Sequence, residues 1–171
     1  MLDFATLYES YSKDVYRFAL FLSGDSALAE DIASETFIRA WGARERVDLA
    51  SVKGYLLAIA RNLYLHDRRR LSRRGAGETA LDESLSSSEP SPERRALART
   101  ELASVLAGLQ TLPEIDRAAL VMRFEDQLPY EEIARALGLS LSAVKVKIHR
   151  ARLRLAEARN QTRRSADDPA S

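Results

Sequence analysis

One stretch constrains this chain more than any other: Pro129 to Leu155, PYEEIARALGLSLSAVKVKIHRARLRL. Ile133, Ala134 and Leu137 mark one face of a first helix, and Gly138 follows at once. Glycine ends helices readily because positive φ brings no Cβ clash. Ser140 is then placed to cap a second helix by accepting one of its orphan amides. Val144, Ile148, Ala151 and Leu155 recur at helical spacing and predict a core-facing stripe. The opposite face carries Ser142, Lys145, Val146, His149 and Arg152, with small groups at its start and cations further along. That distribution suits a helix lying in a major groove, and the whole stretch reads as a helix-turn-helix. The competing interpretation is an ordinary helical hairpin with a solvated basic face.

At 171 residues, the chain has room for one medium domain or two small ones, and its 46% hydrophobic content suffices for a core. The net charge of +1 says little about partners, but the placement of charge says more. Arg61, Arg68, Arg69, Arg70, Arg73 and Arg74 crowd one segment. Lys145, Lys147, Arg150, Arg152, Arg154, Arg159, Arg163 and Arg164 crowd another. Two separate cationic patches are expected on a nearly neutral molecule. The chain has no cysteine, which excludes disulfides, zinc–thiolate sites and thiol switches of its own. No apolar run reaches membrane-spanning length and no signal pattern opens the chain, so a soluble cytoplasmic protein is expected.

From the N-terminus, Phe4, Leu7, Tyr8, Tyr11, Val15, Phe18, Ala19 and Leu22 form an apolar stripe that predicts a helix from Leu2 to Ser23, ended by Gly24. Asp25 or Ser26 can cap a second helix running to about Trp41. Asp31, Glu35 and Arg39, each four residues from the last, share one exposed face of it. Periodicity alone favours a solvated charge ladder there; a docking surface for a basic partner is the sharper alternative. After a polar connection at Ala43–Ala50, a third helix begins near Ser51, with Val52, Tyr55, Leu56, Ile59, Ala60 and Leu63 facing inward. Toward its far end Arg61, Asn62, Tyr64, His66 and the arginine run interleave cations, amides and aromatics. Such a mixture suits single-stranded nucleic acid. A basic helix end with core tyrosines fits the same residues, and this stretch alone does not decide between them.

Residues 75–93 are rich in Gly, Ser, Pro and acids and hold no Lys or Arg, so a flexible acidic linker is expected. A second unit, 94–159, opens after Ser91-Pro92-Glu93. It continues through Leu97, Leu102, Val105, Leu106 and Leu109 to a helix with core candidates Ile115, Ala119, Leu120, Met122 and Phe124. Residues 160–171 are expected to be a disordered tail. No stretch alternates in the β manner. The fold class is therefore all-α: two small helical domains, 1–74 and 94–159, joined by a tether.

No catalytic or metal-binding constellation emerges. His66 and His149 lack HExxH spacing, and Gly75 and Gly77 follow no strand. No cofactor and no enzymatic activity are expected.

Taken together, AEDIASETFIRAW (Ala29–Trp41), YLLAIARNLYLHDRRR (Tyr55–Arg70), LPEIDRAALVMRFEDQLPYEEIARALGLS (Leu112–Ser140) and SAVKVKIHRARLRL (Ser142–Leu155) resemble the extracytoplasmic-function (ECF) RNA polymerase sigma factors, across both units and in order. The resemblance implies that the first unit binds the clamp of core RNA polymerase and opens the promoter −10 element. It implies that the second reads the −35 element as duplex. Residue by residue, Asp31, Glu35, Phe37, Arg39 and Trp41 match the polymerase-binding helix, which raises the docking reading above the ladder. Asn62 matches the position that holds a flipped −10 base, under the 43–50 loop, with Arg61 and Tyr64 beside it. Arg69, Arg70, Arg73 and Arg74 match the basic end near DNA backbone. Ser142, Lys145, Val146 and His149 match the −35 readers, and Lys147, Arg150 and Arg152 the phosphate contacts. An anti-sigma factor as inhibitory partner is implied by the resemblance only. The chain departs from the family pattern at Tyr55 (commonly Trp), His66 (commonly Asp), Pro129 (commonly a serine cap) and Val146 (commonly small and polar). Val146 supplies an apolar group able to meet a thymine methyl. The competing functional classes are an autonomous helix-turn-helix regulator and a helical protein-interaction module.

Overall fold

In the computed structural model, residues 3–46, 51–74 and 92–167 are described. Residues 75–91 of the expected 75–93 linker, and 47–50 of the 43–50 loop, lie outside them; Pro92 and Glu93 already belong to a helix. Among the described residues the chain is helical, with no strand.

Helix α1, Phe4–Ser23, starts where the Asp3 carboxylate accepts a hydrogen bond from the Thr6 amide at 2.7 Å. It stops at Gly24, whose φ of 70° lets its amide reach the Leu20 carbonyl. Asp25 settles the choice of cap for α2, Ser26–Gly42: its Oδ1 accepts from the Leu28 amide at 3.1 Å. A 3₁₀ turn at Arg44–Arg46 leads toward α3, Val52–Arg74. These three helices close around Val15, Phe18, Leu22, Ile32, Phe37, Leu56 and Leu57, all buried.

The second unit holds α4, Pro92–Gln110; α5, Glu114–Phe124; α6, Tyr130–Leu137; and α7, Leu141–Asp167. Its core is Leu106, Leu109, Met122, Ile133, Val144, Ile148 and Ala151. The turn between α6 and α7 forms as its residues dictate. Gly138 takes φ 66°, the amides of Gly138 and Leu139 both reach the Ala134 carbonyl, and Ser140 Oγ accepts from the Ala143 amide at 3.1 Å.

Two sequence expectations need correction. Phe124 is 53% exposed rather than core. It is the last residue of α5, beyond the buried run 116–122, and the Arg152 guanidinium covers its ring at 5.0 Å. Helix α7 does not end near Ala158 but continues to Asp167, through 160–167 of the expected 160–171 tail; 168–171 lie outside the described residues. No Gly or Pro interrupts that stretch before Pro169, and Thr162 bonds back to the Ala158 carbonyl. The arrangement of the two units, which the sequence leaves open, is one of direct contact. Helix α5 packs on α1 as well as on α4, α6 and α7, and α6 packs on α3.

The seam between the units is strongly polar. Arg117 of α5 is only 2% exposed and donates from Nη1 to the Leu22 carbonyl at 2.9 Å and to Gln110 Oε1. Gln110 donates in turn to the carbonyls of Phe21 and Leu22. Arg61 of α3 grips Glu114 of α5 with two bonds of 2.7 Å. Arg17 meets Glu125 at 2.6 Å. Lys53 lies 3.5 Å from Asp14 and donates to the Asp126 carbonyl at 3.4 Å.

Candidate nucleic-acid interface

Helix α7 is anchored by Val144, Ile148 and Ala151, which are fully or nearly buried, and this fixes which residues face outward. Ser142, Lys145, Val146, His149, Arg150 and Arg152 are all exposed, and Lys147 is half-buried at the edge of that face. Val146 is 59% exposed, an apolar group presented to solvent on a helix otherwise rich in cations. The outward residues nonetheless differ in freedom. Lys145 leans over the Tyr130 ring, with Nζ 5.8 Å from its centre, and Arg123 covers the same ring at 4.3 Å. Arg150 forks onto Asp116 with two bonds of 2.9 Å. That hydrogen-bonded carboxylate, itself wholly buried, raises the Arg150 guanidinium above its ordinary value. Arg150 thereby ties α7 to α5 as well as carrying charge toward the surface.

On α3, Asn62 is exposed and forms no side-chain hydrogen bond within the described residues. Its amide is free both to donate and to accept. Arg61 is held by Glu114, and Tyr64 is buried with its hydroxyl near Arg68 Nη1 at 3.2 Å. Tyr64 is therefore a packing residue whose ring also supports Arg68. Arg69, Arg70, Arg73 and Arg74 are exposed along the end of the helix, with Arg70 near Asp67 at 3.3 Å.

On α2, Asp31 and Arg39 are exposed, and Arg39 bonds Glu35 at 3.0 Å one turn away. Phe37 faces the core, where Tyr8 meets it edge-on at 5.1 Å. Trp41 lies at the surface between Phe4, 5.6 Å away, and the Arg44 guanidinium, 4.6 Å above its ring. Exposed Ile38 completes a face that is charged on one side and aromatic on the other. The structure thus separates the predicted residues into three surfaces, on α2, α3 and α7.

Two family profiles match the chain, one over each unit. The profile of Sigma-70 region 2 matches residues 7–74, and that of Sigma-70 region 4 matches residues 102–155. SigM of Bacillus subtilis, an ECF RNA polymerase sigma factor, is 32% identical over 150 residues, covering 87% of this chain and 90% of SigM. This chain belongs to the ECF sigma factors. SigE of Mycolicibacterium smegmatis is 35% identical over 150 residues; the alignment covers 87% of this chain and 58% of SigE. Among solved structures, CnrH in complex with the cytosolic domain of CnrY matches with a TM-score of 0.69 at 25% identity, over 96% of this chain and 89% of CnrH. The sigma factor RpoE from Bartonella quintana, in complex with the anti-sigma factor NepR, shares the fold with a TM-score of 0.71 at 23% identity, over 91% of this chain and 95% of RpoE.

Sequence reasoning missed the polar seam of this sigma factor. No local spacing gives Glu114, Arg117, Glu125 or Asp126 a partner, and charge normally stays in water. The one available signal is in α5 itself. Every residue from Asp116 to Met122 is buried, so a charged pair inside so apolar a helix has to find partners.

Proposed function

We propose that this chain is a promoter-specificity subunit: it binds core RNA polymerase and directs transcription initiation through −10 and −35 recognition. The observation that carries the reading is the ordered presence of Sigma-70 regions 2 and 4 on one chain. The exposed cationic face of α7 and the unpartnered Asn62 agree with it.

In this reading the α2 face of Asp31, Glu35, Arg39 and Trp41 docks on the polymerase clamp, with Phe37 holding that face on its core. Unstacking a −10 base costs a few kcal/mol, and contacts to the flipped base recover part of it. Asn62 reads that base, while Arg69, Arg70, Arg73 and Arg74 supply sequence-independent, salt-dependent affinity. Tyr64 acts from beneath the surface by supporting Arg68. On duplex, Ser142, Lys145, Val146 and His149 meet base edges. Lys147, Arg150 and Arg152 meet phosphates. With both units on one promoter, their affinities combine through effective concentration. The chain works in the cytoplasm and needs no cofactor, because phosphodiester synthesis belongs to the polymerase. RpoE and CnrH were each solved with a partner chain, and an anti-sigma factor is the corresponding partner here.

The test is run-off transcription with core RNA polymerase on promoters randomised at −35 and −10. Starts that require the chain, and weaken with Asp31→Ala or Asn62→Ala, are expected. Duplex binding without any chain-dependent start would instead leave an autonomous DNA-binding regulator.

A further inference from the structure

Arg61 adjoins the Asn62 reader on α3, yet its guanidinium faces the C-terminal unit. Glu114 holds it by two parallel bonds of 2.7 Å, with both side chains about 15% exposed. This fork-on-fork geometry is the one a guanidinium adopts on a phosphate. Two residues on, in the same first turn of α5, Asp116 holds Arg150 of the duplex-reading helix in the same manner. The first turn of α5 therefore offers a carboxylate to one cation from each DNA-facing surface. The two ties differ in consequence. Asp116–Arg150 lies inside one unit and persists however the units move, whereas Glu114–Arg61 spans the seam and breaks whenever they part.

We propose that Glu114 is an intramolecular stand-in for a DNA phosphate: it latches Arg61 in the closed arrangement, and full engagement of a single strand by α3 requires this latch to open. The inference rests on the −10 role given to α3 above. Three observations support it beyond the pair itself. The flanking seam contacts Arg17–Glu125 and Lys53–Asp14 are polar and partly exposed, so part of the closed arrangement is held by contacts that ions and water can replace. Helix α6 packs on α3, so the closed arrangement sets part of the duplex-reading motif against the strand-reading helix. Asn62, unlike its neighbour, has no partner to surrender. A ligand that needs the open arrangement sees its affinity reduced by the open fraction, so weakening the latch should tighten strand binding.

The test uses the full chain and a short fluorescein-labelled single-stranded oligonucleotide of mixed sequence. Glu114→Ala should bind it about tenfold more tightly than the parent, with a steeper salt dependence, as one more phosphate contact becomes available. Glu114→Gln should gain less, and Glu114→Ala should add nothing when it is made in an Arg61→Ala background. Unchanged affinity in Glu114→Ala, or an equal gain from Glu114→Ala with and without Arg61, overturns the latch. A second measurement does not depend on the stability of these variants. The chain has no cysteine, so Arg17→Cys with Glu125→Cys can be bridged across the seam by a short bis-maleimide that reductant cleaves. Bridging should suppress run-off transcription at least tenfold, and reductant should restore it; full activity while bridged overturns the latch. Failure of the unbridged parent to give any chain-dependent start with core polymerase would overturn the promoter-subunit reading instead, whatever the oligonucleotide shows.

Discussion

Asp126 sits in the loop between α5 and α6, 4% exposed, and its Oδ2 has no hydrogen-bond partner among the described residues. Burial pushes its carboxyl up from 3.8 to about 7. Lys53 and Arg17 act against that rise, and Asp14 and Glu125 add to it. The consequence for stability has a definite sign. Between pH 4 and 7 the folded chain keeps this proton while the unfolded chain has released it. Stability therefore falls as pH rises, by at most about 1.4 kcal/mol per pH unit, and roughly 4 kcal/mol is gone above pH 7. Below pH 4 both states are protonated and nothing is lost. Asp126→Asn mimics the protonated group and cannot ionise. Urea unfolding of parent and variant, followed by far-UV circular dichroism at pH 5, 6, 7 and 8, isolates the term, because other titrating groups are common to both. The stability of the variant relative to the parent should climb by about 3 kcal/mol from pH 5 to pH 8. A difference that stays flat across this range would refute the argument that the buried carboxyl is protonated in the fold.

Other expectations are more local. Gly138→Ala should cost about 1 kcal/mol in the same unfolding assay, because φ there is positive while a new Cβ meets nothing within 4 Å; a much larger loss would mean the turn is sterically crowded. Phe18→Ala, at a fully enclosed site in the first unit, should cost about 3–5 kcal/mol. Lys145→Ala should weaken duplex promoter binding by about 1–3 kcal/mol in a mobility-shift titration, and Val146→Ser should change which base is preferred beside it rather than overall affinity.

The helices and the turn between α6 and α7 were legible because they are written in local chemistry. Asp25 is an N-cap, Gly24 and Gly138 adopt the left-handed conformation, and Val144, Ile148 and Ala151 recur on one face. The exposed faces followed from the same periodicity, which is why Asn62 and Val146 lie where their spacing puts them. Phe124 was misread because periodicity treats every apolar position alike, whereas the last residue of a helix can lie beyond its neighbours. The extension of α7 was misread because polar composition was weighed above helix propensity. The seam was illegible for a deeper reason. Arg61 and Glu114 are 53 residues apart, and no local pattern pairs them. Only the docking of α5 on the first unit turns charges suited to water into partners.

The make-up of that seam also bears on why it is charged at all. Arg117 is enclosed, its Nε has no partner among the described residues, and burial lowers its guanidinium below the ordinary value. A buried cation so placed costs solvation that two hydrogen bonds from Nη1 to neutral acceptors only partly offset. Arg117→Met keeps much of the side-chain volume and removes the charge. It leaves the Leu22 carbonyl short of one donor, a loss of about 1 kcal/mol that the relieved desolvation should balance. The variant is therefore expected to unfold within about 1 kcal/mol of the parent in urea. A loss of 3 kcal/mol or more would show that Arg117 is a necessary stabilising partner. If stability is retained, the seam is not charged for the sake of strength, since an apolar residue serves equally well there. What charge adds is exchangeability: guanidinium and carboxylate groups that leave one another find water, ions or phosphates at once, whereas parted apolar faces find only water. A contact between two DNA-reading units that must close and reopen is better built from the first kind than the second.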